Sequence, residues 1–259
     1  MSAPILLDQI LAPGGLRPVF QPIYRISAAG KSLHGLECLT RGPRGTNAES
    51  AAVLFEYVRR KREEIVVDRA CILAAFCAAR QLGGAPRLSI NAHASTLARD
   101  PNFPQFLEDS ARKHGFAGER LTLEIVEHGP ALDVPSFSAA LDELRVRRMR
   151  IALDDVGVGT STLRMMLDCK PDYFKIDRHF VSHAQGDAGK RATLEAVSHI
   201  ARRVGAEVVA EGVETEEELA TVREVGIELV QGWLFCPAME ANELLEREPS
   251  LHSSVKKEN

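Results

Sequence analysis

The stretch "RIALDDVGVG" (150–159) carries an apolar strand directly into two adjacent carboxylates and then into two glycines. Side chains alternate along a strand, so Asp154 shares a face with the small residue Ala152, whereas Asp155 reaches that face only where the chain turns at Gly157. Adjacent like charges at the end of a buried strand repel each other and are costly to desolvate unless cations lie among them. The stretch therefore predicts a strand that ends at a functional rim.

Seven more short apolar runs have strand character, and segments of helical period lie between most of them. The predicted strands are 17–23, 33–39, 87–91, 121–127, 150–155, 173–177, 207–212 and 227–232. The predicted helices are 51–64, 68–82, 103–115, 134–147, 189–205 and 216–226. This alternation is typical of parallel strands joined by helices, and about 250 residues suit a single α/β domain, a (β/α)8 TIM-like barrel. We predict the barrel over 17–248, an N-terminal segment over 1–16 and a flexible tail over 249–259.

Polar residues lie at or near the carboxyl ends of the predicted strands, on the face of a (β/α)8 barrel where active sites are built. They are Glu37, Asn91, Glu124, Asp154, Lys175, Glu211 and Gln231. The residues that precede these polar residues by two positions are mostly small, such as Ser89, Thr122 and Val209. They would lie inside the barrel below the polar residues. The carboxylates are therefore predicted to converge on the barrel mouth.

Such a cluster of carboxylates predicts a metal centre. Its ligands are oxygen donors from Glu, Asp and Asn, without His or Cys, and this set favours Mg²⁺, Mn²⁺ or Ca²⁺ over zinc. Two cations about 4 Å apart that share a carboxylate are the arrangement used for in-line displacement at phosphorus. Hydrolysis of a phosphoester is the leading chemistry.

Composition excludes several other classes of protein. The net charge of −4, without long basic runs, provides no footprint for DNA, RNA or an anionic membrane surface. The five cysteines are scattered and lack CxxC spacing, which excludes zinc-finger sites and is typical of reduced thiols in a cytoplasmic protein. No run reaches the roughly 18 apolar residues of a membrane span, so we expect a cytoplasmic chain without membrane contact.

Eight motifs of this chain resemble, in order, those of the EAL-domain cyclic di-GMP phosphodiesterases. They are "QPI" (21–23), "ECLTR" (37–41), "SIN" (89–91), "LEIVE" (123–127), "ALDDVGVG" (152–159), "FKIDR" (174–178), "AEGVET" (210–215) and "QGW" (231–233). The resemblance covers almost the whole chain and implies an EAL-type barrel, in which one strand can be antiparallel. It also implies hydrolysis of the small molecule cyclic di-GMP to linear pGpG by a water activated by two Mg²⁺ or Mn²⁺ ions, and the capacity to form a homodimer. We expect Ca²⁺ to inhibit the reaction, because its larger and looser ligand shell would misplace the attacking water.

The resemblance further implies roles for individual residues. One ion is bound by Glu37, Asn91, Glu124 and Asp154, and a second by Asp154, Asp155 and Glu211. The catalytic residues are Lys175, which holds the attacking water, with Glu211 and Glu37. The substrate contacts are Gln21, Arg41, Gln231 and Pro237, and the anchor of the loop after the paired aspartates is Glu127.

Each assignment has a structural alternative. Asp155 and Glu127, taken singly, are typical of a helix N-cap or a solvated turn. Lys175 could make an ion pair inside the barrel, and Gly157 could belong to an ordinary turn. Cys38 stands where the signature of the family has alanine, and a small buried side chain suffices there.

The sequence departs from the family pattern after the paired aspartates. Val156, Val158 and Thr160 stand where the family has a phenylalanine, a threonine or alanine, and a tyrosine, so we expect a looser loop and weaker binding of the second ion. The segment after Gln231 is one residue shorter before its proline, so we expect the guanine pocket near Pro237 to differ.

Three functions remain open at this point. The first is the phosphodiesterase, which the complete set of ligands favours, because degenerate members typically lose the signature glutamate, the asparagine or an aspartate. The second is a non-catalytic domain that binds cyclic di-GMP or a protein partner. The third is another metal-dependent barrel enzyme, such as an enolase-like lyase, against which the paired aspartates argue.

Overall fold

The computed structural model describes residues 5–83, 87–126, 134–158 and 163–248, together with Leu251. Within these residues the strands close into a barrel in chain order. They are β1 (Arg17–Ser27), β2 (Gly30–Arg41), β3 (Arg87–His93), β4 (Leu121–Val126), β5 (Arg150–Val156), β6 (Tyr173–Ile176), β7 (Glu207–Ala210) and β8 (Leu229–Val230). The predicted (β/α)8 barrel is confirmed, and each predicted strand overlaps an observed one.

The first strand, β1, is the antiparallel strand of the barrel. It pairs antiparallel with β2 and β8, whereas the other neighbouring strands are parallel. The chain passes from β1 to β2 in a short turn at 28–29, which has no room for the crossover helix that parallel strands need. The barrel therefore begins with a hairpin, in which Gln21 lies opposite Glu37.

Helices surround the barrel. They are α1 (Leu6–Leu11), α2 (Ala51–Lys61), α3 (Glu64–Ala79), α4 (Ala94–Arg99), α5 (Phe103–Lys113), α6 (Val134–Val146), α7 (Leu163–Cys169), α8 (Arg178–Val181), α9 (Ala188–Val204), α10 (Glu216–Glu224) and α11 (Ala241–Arg247). The predicted helices correspond to α2, α3, α5, α6, α9 and α10. The prediction lacks α1, α4, α7, α8 and α11, which have at most seven residues, too few for a helical period to repeat.

Apolar side chains pack on both faces of the strands. Outside the barrel, residues such as Ile90 and Leu153 are buried in one large core shared with the helices. Inside its base lies a smaller buried cluster of Ile23, Ala152, Tyr173, Val209 and Leu229. Because side chains alternate, the next inward-facing residues along these strands point toward the barrel mouth.

The N-terminal helix α1 packs on the outside of the barrel. Its Ile10 is fully buried with Leu54 of α2 and Val67 of α3. The division of the chain into an N-terminal segment and a barrel stays a prediction. The predicted tail 249–259 lies outside the described residues apart from Leu251, which is buried. None of the helices in the described ranges combines the length and apolar character needed to cross a bilayer.

Candidate active site

Lys175 is buried at the barrel mouth among carboxylates. Its Nζ lies 2.6 Å from Glu124 Oε2, 2.8 Å from Glu211 Oε1, 3.0 Å from Asp154 Oδ1 and 3.2 Å from Glu37 Oε1. The Glu37 and Glu124 side chains are 4% and 1% exposed, whereas those of Asp154 and Glu211 are 15% and 19% exposed. The structure therefore brings these predicted residues together, with Asp154 and Glu211 on the open side of the cluster.

Amide side chains extend the cluster around Glu37. Gln231 Nε2 donates to Glu37 Oε2 at 2.7 Å and to Gln21 Oε1 at 3.0 Å. Asn91 Nδ2 donates to Glu37 Oε1 at 3.3 Å, and Gln21 Nε2 donates to the carbonyl of Cys236 at 3.0 Å. Gln231 Oε1 is buried without a hydrogen-bond partner among the described residues. The amide carbonyl of Gln231 is thus an open acceptor beside Glu37.

One ammonium does not balance these carboxylates. Burial and the charge of Glu37 raise the pKa of Glu124 well above its usual value, and burial raises the pKa of Glu211 to about 8. Burial also opposes the ionisation of Glu37, but the charge of Lys175 and the hydrogen bond from Gln231 outweigh it and lower the pKa of Glu37. Burial likewise opposes the charge of Lys175, yet the surrounding carboxylates raise its pKa well above its usual value. The site therefore has an excess of negative charge in a desolvated place.

A second acidic group lies at the end of β5. Asp154, Asp155 and Glu211 each offer a carboxylate oxygen, and these oxygens lie within 4.8 Å of one another. The register of β5 against β6 shifts across the two aspartates, and Asp155 has a φ of +50°, in the left-handed region. This irregularity lets consecutive residues face one site. The turn predicted at Gly157 thus begins two residues earlier, at Asp155. Burial and the charge of Asp154 raise the pKa of Asp155 to about 6.

A cleft of about 290 Å³ is lined by Glu37, Asp154, Lys175 and Glu211 of the acidic site. Besides predicted residues, it is lined by Asp177, Arg178, Glu214 and Trp233, which the prediction lacks. Trp233 is the single tryptophan of the chain and is 67% exposed at the edge of the cleft. Its position two residues after Gln231, a predicted site residue at a strand end, is the signal that could have identified this rim.

Two of the predicted substrate contacts do not line the cleft, and the predicted loop anchor lies outside the described residues. Arg41 is half-buried at the end of β2, where its Nη1 donates to the carbonyl of Thr40 at 3.3 Å. Pro237 is also half-buried, and neither residue lines the cleft. Their contacts with substrate stay predictions. The predicted loop anchor Glu127 lies outside the described residues, as does Thr160.

The structural alternatives for Lys175, Asp155 and Cys38 can be compared with the contacts of these residues. Lys175 makes the ion pairs of a buried lysine, as its alternative states, so a role toward water is a matter of proposal. Asp155 caps none of the described helices, since the next one, α7, begins at Leu163. Cys38 is buried, as expected of a small side chain in the outer core.

Comparison with known proteins gives one family. The model of the EAL domain family matches residues 6–238. The chain is similar to the cyclic di-GMP phosphodiesterase PdeL of Escherichia coli, with 33% identity over 126 residues, which are 49% of this chain and 35% of PdeL. It is also similar to the blue light- and temperature-regulated antirepressor BluF of Escherichia coli, with 26% identity over 193 residues, 74% of this chain and 48% of BluF. The chain spans 22% to 35% of the length of the first three curated relatives.

Solved structures of Klebsiella pneumoniae BlrP1 are similar to this chain over nearly its whole length. The calcium and cyclic di-GMP complex of BlrP1 has a TM-score of 0.79 and 29% identity, and covers 93% of this chain and 59% of BlrP1. The manganese and cyclic di-GMP complex has a TM-score of 0.79 and 30% identity, and covers 92% of this chain and 59% of BlrP1.

Proposed function

We propose that this chain, which belongs to the EAL domain family, hydrolyses cyclic di-GMP to linear pGpG with the help of divalent metal ions. The observation that carries the proposal is the convergence of four carboxylates on one buried lysine at the barrel mouth. The similarity to PdeL, named a cyclic di-GMP phosphodiesterase, and to the BlrP1 complexes supports the choice of substrate.

Divalent ions fit this site because of its charge and its donor atoms. Burial, together with the charge of Asp154, raises the pKa values of Glu211 and Asp155, so their ionised forms are unfavourable here without further positive charge. We assign one ion to Glu37, Asn91, Glu124 and Asp154, and a second to Asp154, Asp155 and Glu211. Oxygen donors of this kind suit Mg²⁺, Mn²⁺ and Ca²⁺, and a bound divalent ion would supply Lewis acidity toward a phosphodiester.

The side chains of the protein supply orientation and proton transfer. Lys175 Nζ has three N–H groups at the centre of the cluster and can donate one of them to the oxygen of the attacking water. Glu211 Oε1, 2.8 Å from Lys175 Nζ and on the open side, can accept a proton of that water. Gln231, which donates to Gln21 and Glu37, can orient a polar group of the substrate, and Arg41 can bind a phosphate with its planar fork.

A receptor without catalytic activity is the second candidate. The similarity to BluF, which is named an antirepressor, supports it, as do the substitutions at Val156 and Val158 in the loop after the paired aspartates. The complete set of acidic ligands and Lys175 favours the enzyme, because a domain that only binds a nucleotide does not need a buried excess of negative charge.

The deciding experiment incubates the purified chain with cyclic di-GMP in the presence of Mg²⁺, Mn²⁺, Ca²⁺ or a chelator and separates the products by chromatography. We expect pGpG with Mg²⁺ or Mn²⁺, none with the chelator and little with Ca²⁺, which tolerates a larger and less regular ligand shell. Full turnover in the chelator would contradict the metal assignment. Tight binding of cyclic di-GMP without product under every condition would establish the receptor instead.

A further inference from the structure

A second cavity, of about 400 Å³, lies beside the acidic site between β2, β3 and the helices α2 and α3. We refer to it as the side cavity. Glu37, Leu39 and Asp154 line both the cleft and the side cavity, so the two spaces adjoin each other. The walls of the side cavity are mostly apolar and include Leu39, Phe55, Val58, Ile72, Ile90 and Val126.

The proposed substrate contains a group that suits such a space. In cyclic di-GMP each phosphodiester lies close to a guanine base, so a phosphate at the carboxylates leaves a base within reach of the side cavity. Guanine has two flat apolar faces, and one of its edges carries the acceptors O6 and N7. A cavity that recognises guanine therefore needs apolar walls and a hydrogen-bond donor at one end.

Arg59 is the donor that the side cavity offers. It lies on α2 and lines the cavity, and its Nε is buried without a hydrogen-bond partner among the described residues. Its Nη2 donates to Glu56 on the same helix, which anchors the guanidinium from the outer side. A buried donor without an acceptor is unfavourable, so an acceptor on a molecule in the cavity would be bound there.

The acidic groups of the side cavity already have partners. Glu64 pairs with Arg99 at 2.8 Å. Asp68 Oδ2 accepts a hydrogen bond from the hydroxyl of Thr96 at 2.6 Å. Neither carboxyl accepts a hydrogen bond from the Nε of Arg59, so this buried donor of a cavity-lining residue is left for a molecule in the cavity.

We propose that Arg59 is a specificity-determining residue, whose guanidinium donates hydrogen bonds to O6 and N7 of a guanine seated in the side cavity. Adenine has an amino group in place of O6, so the guanidinium then faces a donor and the base is bound more weakly. The inference rests on the proposed function, because it takes cyclic di-GMP as the substrate.

The test compares Arg59→Lys, Arg59→Ala and a matched control, Arg60→Ala. Arg60 is the next residue on α2 and binds the same carboxylate, Glu56, at 2.7 Å, but it is 77% exposed and does not line the cavity. Lysine keeps the charge of Arg59 but lacks its planar fork. The measured quantities are kcat and KM for cyclic di-GMP and the inhibition constant of cyclic di-AMP.

We expect both Arg59 variants to raise KM for cyclic di-GMP roughly 5-fold to 100-fold with little change in kcat. The inhibition constant of cyclic di-AMP should stay near that of the parent, so discrimination between the two dinucleotides falls. Arg60→Ala should retain the parent values of both constants.

Two outcomes would overturn the role of Arg59. One is a KM of Arg59→Lys that equals that of the parent. The other is a loss of affinity in Arg60→Ala as large as that in the Arg59 variants, which becomes smaller as salt is added. Such a salt-dependent loss would indicate general electrostatic attraction of an anion. A parent chain that does not hydrolyse cyclic di-GMP refutes the proposed function instead. The role of Arg59 is then tested on the dissociation constants of cyclic di-GMP and cyclic di-AMP, measured by calorimetry for the parent and the same variants.

Discussion

Two layers of the barrel interior, at its base and at its mouth, lie two residues apart along the same strands. On the strands β5 to β8 the base layer holds Ala152, Tyr173, Val209 and Leu229, and the mouth layer holds Asp154, Lys175, Glu211 and Gln231. The base layer is a buried apolar cluster, whereas the mouth layer holds more carboxylates than cations. The period of two in a strand thus stacks a layer that stabilises the fold beneath a layer that carries the chemistry.

The two layers are stabilised by different interactions. Burial of apolar surface at the base is favourable without any ligand. At the mouth, the desolvation of charge is offset by Lys175 and, in the proposed function, by divalent ions. Removal of ions or charges should therefore affect the mouth layer and spare the base layer, and the predictions below test that difference.

The largest effect is expected for Lys175→Met, which removes the ammonium and leaves four buried or half-buried carboxylates without it. We expect a loss of about 3–5 kcal/mol in the free energy of unfolding in chelator, because breaking a buried ion pair leaves uncompensated charge. Mn²⁺ should restore part of this loss, since it binds the folded state alone. Urea unfolding with and without Mn²⁺ measures both effects.

Lys113→Met, at an exposed position on α5, is the control for loss of a lysine as such. It should leave the stability and its dependence on Mn²⁺ as in the parent. An equal stability of Lys175→Met and the parent in chelator would contradict the view that the mouth layer depends on charge balance.

Glu37→Gln should separate chemistry from folding. It preserves the shape of a side chain that is held by Gln231 and Asn91 but removes the negative charge that a metal ion needs. We expect kcat/KM for cyclic di-GMP to fall by at least about 100-fold while the far-ultraviolet circular dichroism spectrum is unchanged. The partner variant at the base, Val209→Ala, should lower stability by about 1–3 kcal/mol and keep kcat. A folded Glu37→Gln enzyme with parent activity would remove Glu37 from the catalytic machinery.

The paired aspartates should differ in their effect on metal binding. In the proposed assignment Asp154 would bind both ions and Asp155 only the second, so Asp154→Asn should weaken both sites and Asp155→Asn only one. We expect affinity changes of about 10-fold to 100-fold. Asparagine tolerates the left-handed backbone found at Asp155, so the substitution there changes charge with little strain. Calorimetric titration with Mn²⁺ provides the number of sites, and identical losses in the two variants would show that the aspartates are equivalent.

Much of the fold could be predicted from the sequence because it depends on local periodicity. Apolar runs of strand length and helices of nine or more residues recur with a clear period, and they are the elements that the prediction contains. The orientation of β1 depends instead on the length of its connection to β2, since a turn at 28–29 admits only a hairpin. Short helices such as α4 and α8 are set by tertiary packing and leave no periodic signal.

The acidic site was predictable for a similar reason. Glu37, Glu124 and Lys175 stand at strand ends, and a barrel brings all such positions to one face. The side cavity was not predictable, because it arises from the way in which α2 and α3 pack over β2 and β3. In the sequence, Arg59 belongs to a run of basic residues at the end of a helix and looks like a solvated surface residue.

The smallest effect is expected at the base layer, where His34 touches the apolar cluster. Its Nε2 lies 3.2 Å from the hydroxyl of Tyr173, which also accepts a hydrogen bond from Arg150 Nη1 at 3.1 Å. Burial lowers the pKa of His34 from 6.5 to about 4, and the positive charge of Arg25 adds to the decrease. Above pH 6.5 the folded and unfolded states both hold a neutral imidazole, so His34 has no effect on the pH dependence there.

As the pH falls from 6.5 toward 4, the unfolded chain gains a proton on His34 before the folded chain does, so folding stability decreases and then levels off below pH 4. We expect this contribution to reach about 1 kcal/mol, allowing for solvent screening of a half-buried ring. His34→Gln should reduce the loss of stability between pH 7 and pH 5, measured by urea unfolding, whereas His199→Gln, at an exposed position on α9, should leave it unchanged. Because His34 contacts the base layer and not the carboxylates to which we assign the ions, the same result is expected with and without Mn²⁺. An effect of His34→Gln that appears only when Mn²⁺ is present would mean that the two layers are coupled rather than independent.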